Sequence, residues 1–212
     1  MNFIGKKAPS FYADGTKGSI YFPKDANDYW SVIYFYQSDF DPASATDILA
    51  LDSKIPKFKS HNANVIAISP DSLPSHIAFV LSLQNMNKGK VIDFEILSDI
   101  GHRVSELYEI SNKDSDPHQN EKGVVIVDPD GIIRSYHKYS TNMGLNVTEI
   151  ERELVSLQAA FNKNAIAPAG WTPGDDMLNY PPKTVASAKT NMSEREKAGD
   201  YCLDWYICYK MI

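Results

Sequence analysis

The run at 30–36, WSVIYFY, constrains the fold more than any other stretch of this sequence. It is rich in β-branched and aromatic residues, and it lacks the apolar-polar alternation of a strand with one face in water. We therefore predict a central strand that is buried on both faces. Such a strand needs further strands beside it and helices above and below it.

Three more runs of this kind, at 64–69, 123–127 and 132–139, predict further strands, and the turn at 128–131 predicts a hairpin between the last two. Apolar residues at helical spacing predict helices at 43–58, 72–84 and 146–162. Pro56 is expected to kink the first of these helices or to end it early. The alternation of strands and helices predicts an α/β fold with a mixed central sheet flanked by helices.

The composition of the chain changes after residue 162. Four prolines there exclude a long regular element: Pro168, Pro173, Pro181 and Pro182. This segment nevertheless carries Trp171, Tyr180, Trp205 and Tyr206, and large aromatic side chains are usually covered. We predict a core at 1–162 and an extended arm at 163–212 that packs on its own core or on a second subunit.

The formal net charge of −6 argues against a nucleic-acid partner, because no cluster of lysines and arginines stands out that could neutralise a row of phosphates. No apolar run approaches the roughly 18 residues that a bilayer span needs, and the first residues lack the apolar region of a signal peptide. The sequence thus predicts a cytoplasmic protein with no membrane partner.

Several separate motifs occur in a telling order: IGKKAPSF at 4–11, SDF at 38–40 with Pro42 and Thr46, SPDSLPSHI at 69–77, KGVVIVDPDGIIRS at 122–135, GWTPGDD at 170–176 and CLDWYICYK at 202–210. Together they resemble the peroxiredoxins, in the alkyl hydroperoxide reductase and thiol-specific antioxidant branch with a long C-terminal arm. The resemblance covers nearly the whole chain. It implies a thioredoxin-like fold, homodimers or ring-shaped oligomers, and no cofactor or metal.

Members of this family reduce hydroperoxides with one cysteine thiolate in a P-x-x-x-[T/S]-x-x-C motif, assisted by an arginine from a later strand. In this sequence the proline position is Gln37, the threonine position Asp41, the cysteine position Ser44 and the arginine position Lys122. A serine hydroxyl is hardly ionised near neutral pH and cannot form a sulfenic acid. Asp41 would oppose a thiolate, and lysine lacks the planar fork of arginine.

The residues at the start of the predicted first helix are also those that favour a stable helix N-terminus. Asp41 is a favoured N-cap, Pro42 suits the first helical position, and Ser44 fits the first turn. We expect this turn to stay wound. An ion pair between Lys122 and Asp41 could reinforce it, and if that pair is exposed to solvent it would add at most about 1 kcal/mol.

The two cysteines, Cys202 and Cys208, match positions in the family arm where the first can act as a resolving thiol. Without a cysteine at position 44 that role has no substrate, so we expect reduced and idle thiols, as is usual in the cytoplasm. A small-loop disulfide is the alternative. His76 is expected to be a packed side chain, and the remaining histidines, His61, His102, His118 and His137, show no metal-ligand spacing.

The sequence therefore predicts a peroxiredoxin-like protein that has lost hydroperoxide reduction and serves as a scaffold, a binding protein or a regulator. One alternative is an active thiol-dependent peroxidase that works through Cys202 or Cys208 or carries a Cys-to-Ser replacement at position 44. Another is a structural partner of an active paralogue. A serine hydrolase is disfavoured because the G-x-S-x-G motif is missing.

Overall fold

The computed structural model describes residues 3–111 and 121–211. The chain divides into two compact units, Met1–Val147 and Thr148–Ile212. This division falls at the start of the helix that begins at residue 147, whereas the sequence pattern placed a boundary at the end of that helix.

Within the described residues of the first unit, seven strands form one mixed sheet in the order β2-β1-β5-β4-β3-β6-β7. β3 pairs in parallel with β4 and antiparallel with β6, so the run at 30–36 is a central strand, as predicted. The strands are β1 (Phe11–Gly15), β2 (Gly18–Phe22), β3 (Trp30–Phe35), β4 (Ala63–Ser69), β5 (Glu95–Ser98), β6 (Lys122–Val127) and β7 (Ile133–Tyr139).

Among the described residues, three α-helices and a short 3-10 helix (Lys24–Ala26) complete this unit. The α-helices are α1 (Pro42–Ser60), α2 (Leu73–Met86) and α3 (Arg103–Leu107). α1 packs on β4, and α2 packs on β5. The expectation that Pro56 would end or kink α1 early was wrong in its first part, since the helix continues to Ser60. The buried stripe runs through Ile55 to Phe58 across the proline, and burying such side chains outweighs one lost backbone hydrogen bond.

Residues of β3 alternate between the two faces of the sheet. Ile33 and Phe35 point into a core cluster that also contains Tyr108. Tyr34 and Tyr36 point to the opposite face, where their rings stack with centroids 5.7 Å apart. Because β6 is adjacent to β3, with Val124 opposite Tyr34, its residues of even number lie on this second face, and Lys122 is among them.

The predicted hairpin between β6 and β7 is confirmed. The Gly131 amide donates to the Asp128 carbonyl at 2.9 Å, and Gly131 has a φ of 73° that residues with a Cβ adopt at a cost. The Asp128 side chain also accepts from the Ile132 amide at 2.8 Å. The DPDG sequence therefore sets both the turn and the strand register.

The second unit is more regular than predicted. It contains α4 (Val147–Lys163), β8 (Met177–Leu178), α5 (Val185–Lys197), β9 (Tyr201–Asp204) and β10 (Ile207–Lys210). Its strands pair antiparallel in the order β8-β10-β9. The expectation of no long regular element was wrong because α5 begins only after the last proline, with a reciprocal capping box between Thr184 and Ser187.

Trp171 has its own core within this unit. It is buried with Ala165 and Met177 against side chains of α4, and its indole N–H donates to the Asp175 carbonyl at 2.9 Å. Of the two predicted ways to cover the arm, packing on the chain itself is the one that the structure contains for Trp171. Trp205 and Tyr206, by contrast, remain 45% and 48% exposed.

Candidate active site

The start of α1 is built as the sequence predicts. Asp41 is the N-cap, and its Oδ2 accepts a hydrogen bond from the Ser44 amide at 2.7 Å. Pro42 occupies the first turn, where its missing N–H costs nothing. The cap carboxylate therefore takes up an amide that would otherwise be free to bind an anion at the helix N-terminus.

Ser44 lies in this first turn with no solvent exposure. Among the described residues, its Oγ has no partner that meets hydrogen-bond geometry. The Tyr34 hydroxyl, which faces Ser44, donates its hydrogen to Asp47 Oδ2 at 2.7 Å. Within the described part of the chain, the site thus holds a buried hydroxyl with no base in hydrogen-bonding geometry to take its proton.

Lys122 forms a different ion pair from the one predicted. Its Nζ lies 2.7 Å from Asp47 Oδ2 and donates to the Met143 carbonyl at 2.8 Å. Both charged side chains are almost fully buried. The hypothesis of an ion pair between Lys122 and Asp41 was wrong. Lys122 lies on the face of the sheet that carries Tyr34 and Tyr36, and the Asp41 carboxylate accepts the Ser44 amide at the helix cap.

Asp47 is the centre of this network, and the sequence reasoning missed it. Its Oδ2 accepts from Tyr34 and Lys122, and its Oδ1 accepts from the Leu145 amide at 2.7 Å. A signal existed in the sequence: Asp47 lies one turn after Ser44 and next to Ile48, on the side of α1 that carries the apolar stripe. A carboxylate in that position needs a buried cation or donors.

The network around Asp47 changes the pKa of the Tyr34 hydroxyl. Burial, followed by the neighbouring Asp47 carboxylate, holds the pKa of Tyr34 well above its usual range. Tyr34 therefore stays protonated and acts as a hydrogen-bond donor. It does not supply a base for Ser44.

Gln37, which the motif resemblance aligns with the family proline, lies half-buried in the bend between β3 and α1. Beside it, Asp39 accepts from the Tyr36 hydroxyl at 2.7 Å and lies 2.9 Å from Nδ1 of His76. Nε2 of His76 donates to the Leu97 carbonyl at 3.2 Å. The expectation that His76 is a packed side chain is confirmed, and this buried network fixes the loop that leads into α1.

Hydrogen-bond geometry links His76, which lies on α2, to Asp39 of this loop. The Leu97 carbonyl can only accept, so Nε2 of His76 carries a hydrogen. Nδ1 faces both oxygens of Asp39, at 2.9 and 3.0 Å, so a second hydrogen lies between the ring and the carboxyl group. The pair is thus overall neutral, which suits its full burial.

Cys202 and Cys208 are joined as a disulfide across the β9-β10 hairpin. The expectation of two reduced thiols was wrong. The two residues are direct cross-strand neighbours, which brings their sulfurs within bonding distance. The alternative of a small-loop disulfide is what the structure contains.

Three comparisons place this chain among known proteins. The model of the AhpC/TSA family matches residues 4–136. A peroxiredoxin of Methanosarcina mazei is 33% identical over 99% of this chain and 98% of its own length. A yeast mitochondrial 1-Cys peroxiredoxin, solved in a study of its thiol resolving mechanism via glutathione and thioredoxin systems, superposes with a TM-score of 0.86 at 26% identity over 99% of each chain.

The chain belongs to the AhpC/TSA family. Peroxiredoxin 2 of Caldanaerobacter subterraneus, 33% identical over 99% of this chain and 93% of its own length, supports the same assignment. The thioredoxin-like α/β fold predicted from the motifs is confirmed by the mixed sheet and the structural match. Peroxiredoxin motifs in this chain thus surround a serine.

Within residues 3–111 and 121–211, no group of histidines, cysteines and carboxylates could hold a metal ion. His118 lies outside the described residues. No helix in the described part of the chain is long and apolar enough to cross a membrane.

Proposed function

We propose that this peroxiredoxin-family protein does not reduce hydroperoxides by the family reaction, and that it serves as a scaffold, a binding protein or a regulator. The observation that carries the proposal is the buried hydroxyl of Ser44, whose Oγ has no hydrogen-bond partner among the described residues. The motif resemblance aligns Ser44 with the family's reactive cysteine. An alcohol there cannot attack a peroxide oxygen and return through a disulfide, as a thiolate does.

The neighbours of Ser44 support the same proposal. A reactive thiolate needs a nearby cation and free amide donors. Here the Lys122 ammonium is engaged by Asp47 and the Met143 carbonyl, while the Ser44 amide donates to the Asp41 carboxylate. The positive charge is thus neutralised and a negative charge stands beside the reactive position.

A peroxide-consumption assay tests the proposal with the native chain and with Ser44→Cys. We expect no turnover of hydrogen peroxide or an alkyl hydroperoxide by the native chain with dithiothreitol. Ser44→Cys should remain a poor peroxidase, because Asp41 raises the pKa of the introduced thiol and Lys122 remains tied to Asp47.

The combined variant with Gln37→Pro, Asp41→Thr, Ser44→Cys and Lys122→Arg provides the matched control, and its thiol should react with iodoacetamide at lower pH than that of Ser44→Cys. Full family activity of Ser44→Cys alone would show that the pocket is still competent. In that case the alternative from the sequence analysis, an active peroxidase that carries a Cys-to-Ser replacement at position 44, would explain the inactive native chain better than a loss of function of the whole pocket.

One observation favours a second candidate, a thiol-dependent peroxidase that uses the arm. Cys202 and Cys208 form a disulfide, which is the oxidised state of a two-thiol site. Turnover by the native chain that disappears in Cys202→Ser would establish this candidate and refute the first proposal.

We further propose that the chain assembles into a homodimer or a ring, with an active paralogue as the alternative partner. Leu203, Trp205 and Tyr206 support this, since they form an exposed apolar group at the tip of the β9-β10 hairpin. A cytoplasmic location remains a prediction from the sequence.

A further inference from the structure

The two sulfurs of the hairpin disulfide differ in their surroundings. Cys208, on β10, is 1% exposed, whereas Cys202, on β9, is partly exposed. Thiol-disulfide exchange requires the incoming thiolate to approach one sulfur, while the other sulfur departs. Access therefore favours attack at Cys202.

Asn191 of α5 is directed at the other sulfur. Its Nδ2 lies 2.6 Å from the Trp205 carbonyl and 3.4 Å from Cys208 Sγ. The orientation of this amide follows from its partners, because the flipped form would place Oδ1 against a carbonyl oxygen that can only accept. Asn191 thus uses one hydrogen to hold the hairpin turn and the other to face the Cys208 sulfur.

A donor at this place favours the thiolate over the thiol, and a sulfur that is stable as a thiolate is the better leaving group. Once protonated, the Cys208 thiol has an acceptor as well, because Sγ lies 3.7 Å from the Asp204 carbonyl. The surroundings of Cys208 accommodate both forms that it would take after the disulfide opens.

We propose that the Cys202–Cys208 disulfide is an exchange site for dithiols, in which the incoming thiolate attacks Cys202 and Asn191 stabilises Cys208 as the leaving group. The first step forms a sulfur-sulfur bond between the reductant and Cys202, and it breaks the bond to Cys208, which leaves as a thiolate and takes a proton. The second thiol of the reductant, as thiolate, then attacks its own sulfur in the mixed disulfide. Cys202 is released, and two electrons have passed from the dithiol to the protein.

This site lies wholly in the second unit and does not depend on what Ser44 does. Its activity is electron acceptance from a dithiol, with no hydroperoxide involved. Peroxide turnover by the native chain would refute the proposed loss of peroxidase activity, and it would leave this proposal to be decided by its own tests.

The direction of attack is tested on the native full-length chain. The oxidised protein is mixed with 2-mercaptoethanol, quenched early with N-ethylmaleimide, and cleaved with chymotrypsin between the two cysteines. Mass spectrometry then shows which cysteine carries mercaptoethanol and which carries maleimide. We expect the mixed disulfide on Cys202 in about tenfold excess, because access and leaving-group stability act in the same direction. An equal distribution, or an excess on Cys208, would overturn the proposal.

The role of Asn191 is tested by the rate of reduction with dithiothreitol. Asn191→Ala should slow reduction by about three- to tenfold, as expected for the loss of one hydrogen bond to the leaving sulfur. Asn179→Ala is the matched control, because the Asn179 amide contacts the Cys208 carbonyl and the Asp200 carboxylate rather than a sulfur. Its rate should equal that of the native chain.

The stability of the Cys208 thiolate distinguishes a direct effect of the Asn191 side chain on this sulfur from a general loosening of the hairpin. In a Cys202→Ser background, the absorbance of the Cys208 thiolate near 240 nm should appear at higher pH after Asn191→Ala and should not move after Asn179→Ala. Unchanged reduction and unchanged titration in Asn191→Ala would refute the assigned role. No reduction of the native disulfide by millimolar dithiothreitol would refute the exchange site itself.

Discussion

Replacing Lys122 with methionine is the most informative perturbation of the site. Methionine approximates the length of the lysine side chain and removes its charge. Of the hydrogen bonds that the described residues make to the buried Asp47 carboxylate, those from the Tyr34 hydroxyl and the Leu145 amide then remain. The Met143 carbonyl also loses its Lys122 donor. Breaking a buried ion pair from one side costs about 3 to 5 kcal/mol.

Urea denaturation followed by circular dichroism measures this cost. We expect the free energy of unfolding to fall by about 3 to 5 kcal/mol in Lys122→Met, equivalent to a fall in melting temperature of roughly 6 to 20 °C for a chain of this size. Lys138→Met is the matched control. Its partner Glu121 lies at the surface, so removing that pair should cost less than about 1 kcal/mol.

A double-mutant cycle separates the ion pair from the packing of the lysine stem. Asp47→Leu alone leaves Lys122 buried with one carbonyl acceptor and should be about as destabilising as Lys122→Met. Both changes together should be less destabilising than the sum of the two, with a coupling of about 2 to 3 kcal/mol. A loss below about 1 kcal/mol in Lys122→Met, or additive effects in the cycle, would refute the buried pair as the organiser of this pocket.

Three further predictions concern other parts of the molecule. Ser44→Ala should leave the free energy of unfolding unchanged or raise it by about 1 kcal/mol, because the hydroxyl is buried without a hydrogen-bond partner among the described residues. Ser105→Ala removes an equally buried hydroxyl that donates to the Asp99 carboxylate, and it should lower the free energy of unfolding by about 1 to 3 kcal/mol. A larger loss of stability in Ser44→Ala than in Ser105→Ala, measured by urea denaturation, would contradict this reasoning. Burial, followed by two nearby glutamates, raises the pKa of Tyr136 to about 12. Its folded pKa exceeds the unfolded value near 10, so its stabilising contribution is complete below about pH 10 and is lost as the pH rises toward 12. A Tyr136→Phe difference titration at 295 nm that shows ionisation near pH 10 would contradict this. Sedimentation should show the full-length chain as a dimer or larger assembly at micromolar concentration, and a stable monomer would refute the proposed assembly.

The sequence by itself determined the central sheet and the start of α1. Continuous apolar runs specify buried strands wherever they occur, and Asp41 followed by Pro42 specifies a helix start through local hydrogen bonding. That the resemblance aligns a serine, Ser44, with the family's reactive cysteine was also evident from the sequence alone. Each of these features depends on residues that are neighbours along the chain.

The short strands and the regular structure of the arm could not be obtained in this way. β1 and β2 are five residues long, and β5 is only four residues long. α5 has no apolar stripe, since most of its residues are exposed. Such elements are stabilised by their neighbours in space rather than by a pattern of their own.

Only the tertiary structure decided the charge pairing of the site and the state of its cysteines. Lys122 and Asp47 are far apart in the sequence, and they meet because β6 pairs with β3 while α1 packs over the same face. The sequence offered Asp41 as an equally good partner for Lys122, since composition carries no information about which carboxylate faces inward. Cys202 and Cys208 were likewise compatible with free thiols, until the register of β9 and β10 placed them opposite each other. Pairing across strands depends on register, and register is set by the packing of the whole unit.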